Sequence, residues 1–318
     1  AALDALRSSV ADGPWDRLRF FDRGQAERAI ADPHFAAAGT VPVVDPSRVD
    51  PPSTDRTVVP GRPSVDDARG ALAALDLGVD LVRIADATGD EAALVTAPLS
   101  KAEIAQHLHP DFRGHTDYLA RNAGLERYGR DYLMAFLAPG LRVALLSTHL
   151  PLRDALDGVT EPRLLDALRC LARHAVTSAT GRIAVAGVDP HAGEGGLLGT
   201  MDRDVVAPAI TAAQAAGIDA HGPESADSVF ARARRGAFDW VLALYHDQGL
   251  IAIKTATFGE ATNWTVGLPY LRTSVDHGTA YDIAGQGVAD PSSLRSVVAT
   301  TVDLLGARRA TRGGETVV

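Results

Sequence analysis

The chain has 318 residues, 46% hydrophobic and 22% charged, a globular composition that excludes disordered, collagen-like and coiled-coil classes and suffices for one to three domains. A net charge of -9 without a long basic run leaves no electrostatic footprint for nucleic acid, and the longest uncharged stretch, Val205 to Ile218, falls short of the roughly 20 apolar residues of a membrane helix. The single Cys170 excludes a disulfide framework and a cysteine-based zinc site, and with no signal-peptide pattern the expected compartment is the cytoplasm.

In chain order, Ala1 to Val10 reads as a helix, followed by strands at Leu18 to Phe21 and Val41 to Val44. Asp45 to Pro63 is proline-rich and polar, a surface connection, and Ser64 caps a helix predicted to run to Asp86. Further apolar runs predict strands at Ala92 to Thr96, Leu133 to Leu137, Val143 to Thr148, Ile183 to Gly187 and Trp240 to Tyr245. Helical patterns lie between and after them at Asp117 to Ala123, Pro162 to Thr180, Met201 to Gly217 and Ser292 to Leu305. This alternation predicts an α/β protein with a largely parallel sheet.

Of 31 basic residues only two, Lys101 and Lys254, are lysine, and asparagine occurs only at Asn122 and Asn263. A chain that writes arginine for generic surface charge marks its lysines as places where a compact ammonium is wanted.

Three histidines share one setting. His149 ends RVALLSTH, His191 follows RIAVAGVDP and His246 ends DWVLALYH, each at or just past the carboxyl end of a predicted strand. Ligands of open α/β sheets bind outside those ends, so the three imidazoles are candidates for one metal site, of a kind that suits Zn, Co, Ni or Fe better than Mg. Any one of them alone reads equally well as a hydrogen-bonded strand-end histidine. The loop Val188 to Gly199 carries four glycines and His191 ahead of a helix, which allows close backbone approach to a ligand, but it does not match the dinucleotide fingerprint G-x-G-x-x-G. In FRGHTDYL, His115 and Thr116 offer groups for an anionic or hydroxylated substrate, with Thr116 also the expected N-cap of the following helix. Lys254, Asn263 and Arg272 recur at nine-residue intervals and combine a point cation, an amide and a planar guanidinium, a set suited to a phosphate on a polar carbon chain.

The ordered segments GRPSVDDAR (61 to 69), TAPLSK (96 to 101), GHT (114 to 116), THLPLRDAL (148 to 156), DPHAGEGG (189 to 196), YHDQGL (245 to 250) and GLPYLRTSVDHGTAYDIAG (267 to 285) resemble the 4-hydroxythreonine-4-phosphate dehydrogenases of vitamin B6 biosynthesis, PdxA-like proteins whose paralogues act on 4-phosphothreonate and 4-phosphoerythronate. The resemblance covers about residues 60 to 305. It implies an isocitrate/isopropylmalate dehydrogenase-like fold of two α/β/α subdomains flanking a cleft. Residues 1–125 and 288–318 would form the first; residues 126–287 would form the second, with the metal histidines and the interface of an obligate homodimer.

It further implies that His149, His191 and His246 bind one divalent metal (Zn, Co or Mg) shared between dimer partners, with His149 and His246 drawn from opposite sides of the shared site. His115, Thr116, Lys254, Asn263 and Arg272 fall on substrate-binding positions, and Gly193, Glu194, Gly195 and Gly196 are assigned to the NAD or NADP cofactor. The implied reaction is oxidation of a secondary alcohol by NAD(P)+ followed by loss of CO2; Asp247 is the candidate proton acceptor or relay from its place beside His246, not from the resemblance. Trp264, beside Asn263, is expected to bear on which four-carbon phosphorylated acid is accepted. No GDPAGIGPE-like strand and loop precedes Ala1, which implies a chain incomplete or impaired at that part of the family's active site. The competing classes are a three-histidine zinc hydrolase, which would ignore NAD(P)+, and a non-catalytic phosphometabolite-binding protein.

Overall fold

A computed structural model describes residues 18–30, 41–44, 59–88, 91–175, 181–257 and 259–312. The helix expected at Ala1 to Val10 and most of the connection Asp45 to Pro63 lie outside them. The chain divides into two compact units, whose described residues fall within 18–94, 98–114 and 278–291 for the first and 95–97, 115–277 and 292–312 for the second.

In the first unit, β1 (Leu18–Phe21) and β2 (Val41–Val44) pair in parallel, and helices α1 (Arg23–Ile30), α2 (Val65–Thr88) and α3 (Lys101–His107) accompany them. Ser64 begins α2 as expected: its hydroxyl accepts the Asp67 N–H at 3.3 Å while the Asp67 carboxylate accepts the Ser64 N–H at 2.9 Å, a reciprocal cap. Leu72, Leu75, Val79 and Val82 bury one side of α2.

The second unit is built on a mixed sheet of strand order β3-β10-β9-β4-β5-β8-β6-β7. Its strands are β3 (Ala93–Thr96), β4 (Leu133–Ala138), β5 (Leu141–Leu145), β6 (Ile183–Ala186), β7 (Ala220–Glu224), β8 (Trp240–Ala243), β9 (Thr262–Val266) and β10 (Leu271–Ser274). The sheet is parallel from β5 through β8 and β6 to β7, and antiparallel across β5-β4-β9-β10, so the expectation of a largely parallel sheet holds for one half only. Three strands escaped the sequence pattern. The edge strand β7 reads AHGPE, with Gly and Pro that a central strand would not carry, while β9 and β10 place Asn263 and Arg272 where an apolar run would have Val or Leu.

Helices α8 (Ala226–Arg234) and α9 (His246–Ala256) cover one face, where Val229, Leu250 and Ile253 pack with Met134, Phe136, Val143, Leu145, Val241 and Ala243. The opposite face carries α6 (Glu161–His174) and the C-terminal α10 (Ser292–Arg312), the latter bonded to the sheet by Thr301 and Thr273 at 2.7 Å. That packing places α10 in the second unit, whereas sequence reasoning gave 288–318 to the first. The remaining helices are α4 (His115–Asn122), α5 (Leu152–Asp157) and α7 (Ala207–Ala215); a π-helical turn at Asp202–Val206 precedes α7, which carries Pro208 in its first turn. Among the described residues no helix is long and apolar enough to cross a membrane.

Gly249 fixes how closely α9 approaches the sheet. A β-carbon built there falls 2.6 Å from Leu145 Cδ2, 3.0 Å from Val143 Cγ1 and 3.1 Å from Ala243 Cβ. Alanine is the better helix former by about 1 kcal/mol, but overpacking a core costs about 1–3 kcal/mol. Gly249→Ala is therefore expected to lower the unfolding free energy in urea; an unchanged or raised value would show that α9 has slack against the sheet.

Candidate active site

The parallel strands β5, β8 and β6 end side by side, and the chain leaves each of them through a loop that carries one of the three histidines. His149 and His246 come together, their ring centroids 5.4 Å apart and the rings tilted by 42°. An imidazole nitrogen sits about 2.1 Å from a zinc ion, so two rings sharing one tetrahedral ion have centres roughly 5 Å apart, and the observed pair fits such an ion. His246 opens α9, and its Nδ1 lies 2.7 Å from Asp247 Oδ1, a carboxylate–imidazole contact that fixes the ring and leaves Nε2 for a metal. Asp247, proposed from sequence as a proton relay, thus spends an oxygen on orienting His246 while its side chain stays 76% exposed.

His191 does not join them: among the described residues no three His, Cys, Asp or Glu side chains form a metal-ligand group. His149 and His246 stand together within one protomer, at the ends of neighbouring strands.

The loop that presents His191 is strained. His191, Ala192, Gly193, Glu194 and Gly195 all adopt left-handed backbone angles, with φ of 52°, 52°, 75°, 42° and 68°. Each non-glycine residue there costs about 1–2 kcal/mol, so His191, Ala192 and Glu194 hold this turn only because its surroundings impose it. The Val188 and Asp189 N–H groups donate to the fully buried Asp202 carboxylate at 2.9 and 2.8 Å, and Ala192 N–H donates to the Asp189 carbonyl at 3.0 Å. Burial raises the Asp202 carboxyl above the usual carboxylate range, and the two N–H bonds oppose that rise. In the group assigned to the cofactor, Gly193 is buried, Glu194 and Gly195 are exposed, and a β-carbon on Gly195 would meet nothing within 4 Å.

The substrate-binding candidates in β9 and β10 share a face. Register pairs Ser274 with Asn263 and Thr273 with Trp264, so Asn263, Thr265, Arg272 and Ser274 point one way and Trp264 and Thr273 the other. Phe136, opposite Asn263 in β4, lies in the core beneath α8 and α9, so Asn263 and Arg272 belong to the layer of α9, which carries His246 at one end and Lys254 near the other. Trp264 lies behind the sheet with Trp240, ring centroids 6.2 Å apart, and so does not line the substrate face as expected from its neighbour Asn263. The two indoles help line a cavity of about 320 Å³ with Ser296, Thr300 and Asp303 of α10, which contains none of the candidate site residues.

Arg272 is 1% exposed, and its guanidinium donates to Thr265 Oγ1 at 3.0 Å and Thr96 Oγ1 at 2.6 Å. Its Nε and the Asn263 Oδ1 are buried without a hydrogen-bond partner. Burial lowers the Arg272 pKa to about 10. Because this lies below the unfolded value, the penalty of burying the cation is fully present below pH about 10 and is relieved only as the pH rises further. These unmet groups of opposite polarity suit a ligand with an anionic oxygen and a hydroxyl or ammonium. Lys254 is exposed in the last turn of α9, and His115 and Thr116 are the first two residues of α4; Thr116 is 8% exposed and lies inside the helix instead of capping it.

Sequence reasoning missed Ser147, Asp202 and Gln248. Ser147 and Gln248 lie within two residues of a candidate histidine, and all three bond the backbone at the strand ends.

Residues 19–301 match the family model described as pyridoxal phosphate biosynthetic protein PdxA. The chain belongs to the PdxA family. It is 45% identical over 251 residues to a 4-hydroxythreonine-4-phosphate dehydrogenase of Chromobacterium violaceum, covering 77% of this chain and 73% of the relative. It is 41% identical over 308 residues to the enzyme of that name from Burkholderia vietnamiensis, covering 90% and 91%. The crystal structure of a 4-hydroxythreonine-4-phosphate dehydrogenase from Klebsiella pneumoniae superposes with a TM-score of 0.74 at 32% identity, covering 94% of each chain. A terephthalate 1,2-cis-dihydrodiol dehydrogenase from Burkholderia xenovorans superposes at 0.56 with 25% identity, covering 90% of this chain and 97% of that one. The PdxA-family member described here is an α/β oxidoreductase of the dehydrogenase class.

If Arg272 is kept for an anion, removing it is expected to cost binding more than folding. Arg272→Met should leave the melting temperature of the ligand-free protein at or above wild type, because an unpaired buried cation disappears. Inorganic phosphate should raise the melting temperature of wild type but not of Arg272→Met; an equal rise in both would place the anion elsewhere.

Proposed function

We propose that this protein oxidises the secondary alcohol of 4-hydroxythreonine 4-phosphate with NAD+ or NADP+, and that the resulting β-keto acid loses CO2. The observation that carries the reading is the pair His149 and His246 at the carboxyl edge of adjacent parallel strands, with the unpartnered Nε of Arg272 in the layer of α9. The relatives named above are dehydrogenases, which leaves the hydrolase and the non-catalytic binder without support.

His149, His246 and His191 of the partner subunit would hold the divalent metal. When bound, that ion supplies Lewis-acid polarisation of an alcohol or ketone oxygen, and the nicotinamide supplies the hydride acceptor. The chain's own residues bind and orient. Arg272, Lys254 and Asn263 take the phosphate and neighbouring polar groups, with His115 and Thr116 at the start of α4 contributing further contacts. Asp247 keeps the Nδ1 of His246 engaged so that Nε2 faces the ligand. Gly193 to Gly196 receive the nicotinamide cofactor; Glu194 repels phosphate, so its natural contact is a ribose hydroxyl.

A second copy of the chain is the proposed partner because large apolar side chains stand exposed in the segments that follow each histidine. Leu150 and Leu152 follow His149, Leu197 (79% exposed) and Leu198 follow His191, and Ile251 (67% exposed) follows His246. Exposed large apolar side chains in each of these segments suit surfaces that another chain covers.

The substrate assignment is tested by a panel of 4-hydroxythreonine 4-phosphate, 4-phosphothreonate and 4-phosphoerythronate with NAD+ and NADP+, read as reduced nicotinamide; the first is expected to turn over fastest, and preference for another would replace it as substrate. The shared site is tested by mixing inactive single variants. In His149→Ala/His191→Ala heterodimers one site carries both defects and the other neither, so random mixing should restore up to about a quarter of wild-type activity. His149→Ala with His246→Ala should restore none, since each site keeps one defect. The reverse pattern would mean that His246, not His191, comes from the partner.

A further inference from the structure

The three histidine loops leave three different strands, and metal ligation tolerates little error in their relative placement. A continuous line of hydrogen bonds joins the strand ends beneath them. The fully buried Ser147 donates from Oγ to the Leu244 carbonyl at 2.9 Å. The Leu244 N–H donates to Gln248 Oε1 at 2.7 Å, and Gln248 Nε2 donates to the Gly187 carbonyl at 2.8 Å. The next two N–H groups, of Val188 and Asp189, go to the buried Asp202 carboxylate. Ser147 lies two residues before His149, Gln248 two residues after His246, and Gly187 four residues before His191.

We propose that Gln248, working through the Leu244 peptide with Ser147, is the positioning residue that sets the three histidine loops relative to one another. A glutamine suits this place because one amide end must accept an N–H while the other donates to a carbonyl, and only one orientation of the amide satisfies both. Ladder hydrogen bonds hold β5, β8 and β6 together within the sheet, but beyond Leu146, whose N–H donates to the Ala243 carbonyl at 2.8 Å, side chains take over the tie. The left-handed turn at His191 needs that support, because its backbone is unfavourable on its own. The tie rests on these hydrogen bonds; its consequence for metal binding rests on the proposed function.

The experiment compares Gln248→Met, Gln248→Glu and, as a control, Gln214→Met, which removes a glutamine donating to the Ala220 carbonyl at 2.8 Å in another part of the same unit. Amide hydrogen exchange of the metal-free protein should show Leu244 and Val188 to Gly199 exchanging about tenfold faster in Gln248→Met, with β4 and β9 unchanged. Gln248→Glu keeps the acceptor for Leu244 but turns a carboxylate toward the Gly187 carbonyl, so it should loosen Val188 to Gly199 while Leu244 stays protected; it serves alone if Gln248→Met does not fold. Titration with Co2+ should show about tenfold or more weaker binding and an altered visible spectrum for Gln248→Met, and wild-type behaviour for Gln214→Met. Wild-type exchange and spectrum in both Gln248 variants would overturn the proposal, as would faster exchange spread evenly over β4 and β9. A wild-type protein that takes up no Co2+ would remove the metal reading and leave exchange to decide the tie.

Discussion

The parallel register of β5, β8 and β6 is the constraint on which the site depends. Val143 stands beside Val241, and Val241 beside Ala184, so the three strands run level and finish level. Side chains with no polar atoms achieve this: Val143, Leu145, Val241, Ala243, Ala184 and Ala186 are buried beneath α8 and α9, and a slip of one residue would turn them out of that core. Placement of His149 and His246 within reach of one ion is therefore a product of hydrophobic packing several residues away from either ring.

Much of this was legible in the sequence, for a physical reason. Strands buried on both faces write themselves as Val, Leu and Ala runs, and β4 and β8 begin where those runs do. The same grammar places a histidine after each of three strands. What it hides is any strand whose one face serves a polar purpose: TNWTV and LRTS hold Asn263 and Arg272 in register with Thr265 and Ser274, and no apolar count finds them. It also hides partners far apart in the chain. Arg272 and Thr96 meet across 176 positions, and nothing local to either announces the contact.

Two features run against stability, and both involve residues of the candidate site. Arg272 is a cation sealed among threonine hydroxyls, and the His191 turn keeps three non-glycine residues in left-handed backbone. A fold selected for stability alone would replace the first with an apolar side chain and the second with glycines.

The alternation of β9 has an optical consequence. Its neighbours Asn263 and Trp264 face opposite sides of the sheet, so a candidate ligand-binding amide and an indole shielded behind the strand are one peptide apart. Of three tryptophans in the chain, Trp264 and Trp240 stand together there, and both are nearly withdrawn from solvent. That buried indole pair is a native fluorophore on the side of the sheet opposite Asn263 and Arg272, one peptide bond away from the candidate residue it would report on.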